Sequence, residues 1–243
     1  MATITEIAQD VYRISIYEER FDLQFNQFLV KDAEPLLYHT GMRAVFQDLR
    51  DAVSQLIEPS ALRWICWSHF EADECGSLNP WLELAPQAQA VCSEVGAMVN
   101  ISDFALRPPK GLTAQDTIQT GSRRFRFHPT PHLPHGWDSG FLFEETQGTL
   151  FCSDLLHQSG RVEPLTHSEE VFERAREVLL GYQQSPLRGY LPYTASTGKM
   201  LRQLGDLHPR TLAAMHGSSF AGDCRGMLFR LDGLYKEIFG EVG

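Results

Sequence analysis

Apolar positions come in short runs along the first forty residues: Val11–Tyr17, Asn26–Val30 and Pro35–Tyr38 have the composition and length of β-strands. Past Gly41 the period changes. In Met42–Ile57 the side chains of Val45, Leu49, Val53 and Leu56 fall on one face of a helix. Leu62–Trp67 returns to strand character, and a helix is expected from Asp73 to about Leu84. Gln89–Glu94 reads as a strand and Val95–Phe104 as a short helix, before Arg107-Pro108-Pro109-Lys110-Gly111 breaks the pattern. Thr117–Thr120, Arg123–His128, Gly140–Glu144 and Thr149–Cys152 follow as short β runs between Gly, Pro and polar turns, the spacing of an antiparallel meander. Glu169–Tyr182 and Gly198–Leu207 have helical periodicity, Thr211–Met215 is a short strand, and Arg225–Phe239 is a closing amphipathic helix. With no linker and no repeat in the pattern, a single α/β domain over residues 1–243 is expected.

Composition narrows the function classes. The net charge of −10, from 31 acidic and 21 basic residues, leaves no basic stripe for phosphates and argues against nucleic acid as a partner. The opening MATITEIAQDVYRIS has neither a basic first region nor an apolar run, and nowhere do about eighteen apolar residues occur in succession, so neither export nor membrane insertion is expected. The cysteines, Cys66, Cys75, Cys92, Cys152 and Cys224, are five in number and form no C-x-x-C pair, which fits reduced thiols in a cytoplasmic setting. Cys66 and Cys152 sit in apolar strand-like stretches and are expected in the core.

The chemistry is concentrated just beyond the Leu62–Trp67 strand, in His69-x-Glu71-x-Asp73-Glu74. Strand ends of this kind commonly carry the sites of open α/β sheets. An imidazole and three carboxylates so close together repel or desolvate one another unless a cation neutralises them, although the cluster alone would also suit a solvated acidic turn. Three further segments change the balance. Leu133-Pro134-His135-Gly136-Trp137-Asp138-Ser139, Phe151-Cys152-Ser153-Asp154 and Ala213-Ala214-Met215-His216-Gly217 each place a possible ligand at or just past the end of a strand.

This order of H-x-[HE]-x-D, His, Asp and a late His-Gly resembles the metallo-β-lactamase superfamily. Within it the chain is similar to the iron domain of flavodiiron proteins, and more closely to stand-alone oxygen-binding di-iron proteins lacking the flavodoxin part. Glu71 stands where hydrolytic members usually carry His, and His135-Gly136-Trp137-Asp138-Ser139 resembles the flavodiiron His-Trp-Pro-Asp-Ser; Leu191-Pro192-Tyr193 is a further likeness. The resemblance implies an αββα sandwich of two mixed sheets flanked by helices. It implies two iron ions, with His69, Glu71 and His135 on the first, Asp73 and His216 on the second, and Asp154 bridging. One position departs: the family pattern H-x-E-x-D-H has Glu74 here, expected as a further ligand or as a group behind one.

Carboxylate-rich sites with few imidazoles suit iron or manganese, and four carboxylates match two divalent charges, while zinc remains an alternative. His135 is preferred over His132 as ligand; His39, His128, His157, His167 and His208 fall outside any ligand spacing and are expected at the surface or in hydrogen bonds, with His39 a partial exception because Tyr38-His39-Thr40-Gly41 takes the place of a superfamily Asp-Thr-Gly. Asp138 and Ser139 fit either a group that orients His135 or a plain turn, and Tyr193 and Trp137 either the pocket lining or, as large aromatics more often do, the core. Such a centre is expected to bind or reduce O2 or NO, as a sensor acting through a signalling protein or as a reductase. No flavodoxin-like stretch follows His216, so turnover is expected to need an external redox partner. A homodimer is expected by resemblance. The alternative is a binuclear hydrolase of an ester, thioester, lactone or phosphodiester, with Asp73 accepting a proton.

Overall fold

The computed structural model describes residues 2–240. Seven strands, β1 (Thr3–Ala8), β2 (Val11–Glu18), β3 (Leu23–Val30), β4 (Leu36–Tyr38), β5 (Trp64–Cys66), β6 (Gln89–Ser93) and β7 (Lys110–Leu112), lie side by side in chain order in one sheet. The β1–β4 pairings are antiparallel; β4 to β7 are parallel. The second sheet holds β8 (Thr117–Gln119), β9 (Arg124–Pro129), β10 (Gly140–Glu144), β11 (Thr149–Ser153), β12 (Leu165–Thr166), β13 (Thr211–Ala214) and β14 (Ser219–Phe220), ordered β12-β14-β13-β11-β10-β9-β8. The meander is confirmed for β8 to β11, after which β11 turns to a parallel pairing with β13.

Three apolar layers hold the sheets and helices together. Phe28, Val30, Tyr38, Cys66 and Val91 from the first sheet meet Phe125, Phe127, Leu142, Phe151 and Ala213 from the second in the layer between them. On the outer face of the first sheet Ile14, Leu29, Leu37 and Ile65 pack under α1 (Phe46–Val53), α2 (Ala72–Cys75) and α3 (Leu78–Leu84) through Leu49, Val53, Cys75, Leu78 and Trp81. A helical run through α4 (Glu94–Gly96), a π-helical Ala97–Ile101 and α5 (Ser102–Phe104) adds Ala97 and Ile101 to that layer. The outer face of the second sheet packs Phe141, Leu150, Cys152 and Leu212 against α6 (Glu170–Tyr182), α7 (Thr197–Gly205) and α8 (Cys224–Phe239). The molecule is the αββα sandwich of the metallo-β-lactamase fold, and its central strands, β4, β5, β10, β11 and β13, are buried nearly throughout because both of their faces are covered.

Some boundaries differ from the periodicity. The helix expected over Met42–Ile57 is a 3-10 turn, Arg43–Val45, followed by α1, and the helix expected from Asp73 to Leu84 is broken into α2 and α3. At the break the Ser77 amide donates to the Gly41 carbonyl at 2.9 Å and to Thr40 Oγ1 at 3.1 Å, so the loop after β4 takes the bond that would have continued the helix. Strands β1 and β7 carry no apolar run of their own; β1 is an edge strand held by β2, and β7 forms across the Pro-rich break. All five cysteines are free and buried, Cys66 and Cys152 fully so. Among the described residues no helix is long and apolar enough to cross a membrane.

Candidate metal centre

Three strand ends and one hairpin loop converge at one rim of the sandwich. The segment after β5 carries His69 and Glu71 and leads into α2 with Asp73; the β9–β10 connection carries His135; β11 ends at Asp154 and β13 at His216. Two backbone turns that only a positive φ allows set the last pieces: Ser153, at φ 49°, swings the chain so that Asp154 leaves the strand, and Gly217, at φ 91°, follows His216. The first sheet clamps the His216 segment from outside. Asn26 Nδ2 donates to the carbonyls of Ala214 and Gly217 at 2.9 and 2.8 Å, and the buried Arg13 guanidinium donates to Gly217 at 2.9 Å.

The expected ligands form two groups that share one residue. His69, Glu71, His135 and Asp154 present ligand atoms within 4.8 Å of one another, and Asp154 joins a second group with His157 and His216. Asp154 Oδ2 lies 2.9 Å from His135 Nε2 and 3.6 Å from His69 Nε2, whereas Oδ1 lies 3.2 Å from His216 Nε2. Each oxygen of one carboxylate therefore faces a different group. Glu71 Oε2 is 3.5 Å from His69 Nε2, Glu71 Oε1 is 3.7 Å from His135 Nδ1, and Asp73 Oδ2 is 3.4 Å from His216 Nε2.

Ring tautomers follow from the partners behind. His216 Nδ1 lies 3.0 Å from the Gln24 carbonyl, which can only accept, so Nδ1 carries the proton and Nε2 turns to Asp73 and Asp154. His69 Nε2, in a ring 1% exposed, has no hydrogen-bond partner. A buried imidazole nitrogen left unpaired among carboxylates is a donor waiting for a cation, and the donor set of imidazoles and carboxylates fits metal.

Electrostatics agree. Burial alone would lower His69 and His216, but Glu74, Glu71 and Asp154 around His69, and Asp154 and Asp73 around His216, override it and raise each to about 10. Burial opposes ionisation of Asp154 and Asp73 as well, yet the histidine contacts hold both below the ordinary carboxylate range, Asp154 well below. Without metal, protons on the imidazoles neutralise these carboxylates; a bound cation would replace them.

Glu74 stands apart from the other expected ligands. Its side chain is 1% exposed and turned behind His69: Oε2 accepts from the Ser68 amide at 2.8 Å, Oε1 accepts from Ser153 Oγ at 2.5 Å, and Oε2 lies 3.3 Å from His39 Nε2. It faces the Nδ1 side of His69, at 3.7 Å, not the Nε2 side that faces Asp154. Of the two expectations for this residue, the geometry matches the group behind a ligand, and three carboxylates instead of four face the cleft. Burial pushes Glu74 up to about 8.

Other expectations need correction. Tyr193 donates to Asp232 Oδ1 at 2.9 Å on α8, and Trp137 is 43% exposed; neither lines the cavity. The cavity, about 360 Å³, is walled instead by Phe21, Leu23, Phe25, Tyr182, Tyr190 and Leu191 over Glu71, Asp73, Asp154, His157 and His216. Tyr190 donates to Glu71 Oε1 at 2.6 Å and packs its ring 4.1 Å from that of His135. Asp138 does not touch His135: its Oδ2 accepts from the Phe70 amide at 3.1 Å, bracing the His69–Glu71 segment, while Ser139 Oγ bonds the Leu133 carbonyl at 2.8 Å. His132 is exposed and His135 faces the centre. His39 is fully buried, with Nδ1 donating to the Asn26 carbonyl at 3.1 Å. His157, read from spacing as an unrelated histidine, joins the Asp154–His216 group, and the signal that could have found it is its position three residues after Asp154 at a strand end.

Comparison with known proteins agrees with the fold. The flavo-diiron protein FprA2 of Clostridium acetobutylicum is 27% identical over 144 residues, which is 58% of this chain and 36% of that protein. A diflavin flavoprotein of Nostoc sp. is 27% identical over 236 residues, 87% of this chain and 38% of that protein, so the chain spans well under half the length of either relative. Among solved structures, rubredoxin oxygen:oxidoreductase from Desulfovibrio gigas superposes with a TM-score of 0.77 at 16% identity, covering 95% of this chain and 62% of that one. The family model described as ODP family beta lactamase matches residues 23–217, from the β3 strand beside Gln24 to the glycine after His216, and the chain therefore belongs to that family.

Proposed function

We propose that the 243 residues act as one cytoplasmic domain that holds two iron ions and binds or reduces O2 or NO, with electrons from an external redox protein or a signal passed to a partner protein. The observation that carries this reading is the division of Asp154, with Oδ2 toward His69 and His135 and Oδ1 toward His216. His69, Glu71 and His135 would hold the first ion, Asp73 and His216 the second, with Asp154 between. Paired ferrous ions bound there would supply electrons to a small diatomic ligand, chemistry that no side chain here offers by itself.

The chain's own groups do the rest. Phe21, Leu23, Phe25 and Leu191 make the wall of the cavity over the centre largely apolar, which favours a small uncharged ligand. Tyr190 orients Glu71 by donating its hydroxyl proton to it, and burial first, then Asp154, pushes the ionisation of that hydroxyl up, so the bond persists at working pH. The test is anaerobic purification, metal quantification and an optical spectrum before and after O2. Bound iron with new near-ultraviolet to visible absorption on oxygenation supports the reading, and the lifetime of that absorption separates a sensor from a reductase. Zinc alone, with no response to O2 after iron reconstitution and with hydrolysis of a generic ester, would overturn it in favour of the hydrolase. A homodimer, expected from the family resemblance, is checked by light scattering on the same preparation.

A further inference from the structure

Position 74 holds a carboxylate that the structure turns away from the centre, which leaves the Asp73–His216 side one donor short of the family's motif. We propose that His157 supplies that donor and completes the coordination of the second metal ion, an inference that rests on the di-iron reading above. Three observations support it. The ligand atoms of His157, His216 and Asp154 lie within 4.8 Å of one another. The two imidazole rings stand 4.4 Å apart, 38° from parallel, which lets both reach one ion. Tyr182 Oη lies 3.1 Å from His157 Nδ1 and 3.4 Å from Nε2, so the ring has a hydroxyl partner beside it, as ligating imidazoles usually have a neighbouring oxygen.

The local chain explains how His157 reaches the site. After Asp154, Leu155 and Leu156 turn into the core under the outer helices, Leu156 with φ 59°. The Gln158 amide then donates to the His216 carbonyl at 3.2 Å, and Gln158 Nε2 donates to the Leu156 and Ser218 carbonyls at 3.0 and 3.2 Å. The His157 and His216 segments are thus held together by one main-chain bond and by the Gln158 side chain, which sets the rings side by side. Glu74 cannot compete, because both its oxygens are already committed to Ser68 and Ser153 on the far side of His69.

The test loads the full chain with ferrous iron under anaerobic conditions, challenges it with graded chelator, and reads iron per chain together with the Mössbauer spectrum. The wild type should retain both ions and show two inequivalent ferrous sites. In His157→Ala the second ion should leave at a chelator strength more than about a hundredfold lower, since loss of a direct ligand exceeds the usual cost of losing a group behind one. The first site's signal should persist, and added imidazole should restore the second. A milder variant, Tyr182→Phe, keeps the His157 ring in place and should weaken only the second ion, by roughly tenfold. If His157→Ala and Tyr182→Phe both hold the second ion as tightly as the wild type with unchanged spectra, the inference fails while the di-iron reading stands. A wild type that never retains a second iron sinks the di-iron reading itself.

Discussion

Asp154 faces two sets of partners with its two oxygens, and everything around it serves to keep them apart: His135 and His69 on one side, His216 on the other. At this scale a single hydroxyl matters. Removing the Tyr190 hydroxyl in Tyr190→Phe deletes the 2.6 Å bond to Glu71 and should weaken the first ion by about tenfold without touching the second, as read by chelator competition. The pH dependence follows from the signs. His69 and His216, raised to about 10, give the metal-free protein stability that is fully present below about pH 6.5 and is lost as pH rises through 10. Glu74, raised to about 8, adds to that alkaline loss between its ordinary range and 8. His39 and His157, driven by burial down to about 4 and about 3, stay neutral in the fold while the unfolded chain gains protons below about pH 6.5, so stability also falls on the acid side. Thermal melts of the metal-free protein from pH 5 to 10 should show a maximum near neutrality. Because bound metal must expel the protons on His69 and His216, metal affinity should climb with pH, with proton release seen by calorimetry in buffers of different ionisation enthalpy.

At the scale of elements, the site depends on turns that deliver side chains from strand ends, and the tightest is the one after β13. Gly217 sits at φ 91°, and a Cβ there would meet the Gln158 side chain at 2.5 Å. Gly217→Ala should cost roughly 1–3 kcal/mol from the backbone conformation alone and push the Gln158 segment away from His216. The expected outcome is a lower melting temperature together with loss of the second ion, measured on one preparation by calorimetry and iron analysis. The helix break at Gly76–Ser77 belongs to the same scale. By ending α2 early it lets Asp73 face His216 while Cys75 and Leu78 stay in the core.

For the molecule as a whole, the three apolar layers contain none of the expected ligands, and only a few of their members, such as Leu191 with Tyr182 and Tyr190 packed beside it, reach the cavity over the centre. Chelation should therefore leave the fold intact by far-ultraviolet circular dichroism. Each ion present at a hundredfold excess over its Kd is expected to contribute about 2.7 kcal/mol, so its removal should lower the melting temperature by roughly 5–10 °C. Collapse of the dichroism on chelation would show instead that the ligands hold the sheets together.

What the amino-acid order determined by itself was the periodic part: most strands, the outer helices, and the succession of His69, Glu71, Asp73, His135, Asp154 and His216 beyond strand ends. These are legible because apolar spacing reports a buried face directly and because the ligand residues sit in short local motifs. The tertiary structure alone decided which way Glu74 faces, since that is set by the Ser68 amide and by Ser153, which comes from the other sheet. It alone brought His157 beside His216, through the main-chain bond from Gln158 to His216, and put Tyr190, not Tyr193, over the centre, where its hydroxyl meets Glu71 from a segment far away in sequence. Edge strands such as β1, whose formation depends on a neighbour's free amides and carbonyls more than on their own apolar content, were decided there too.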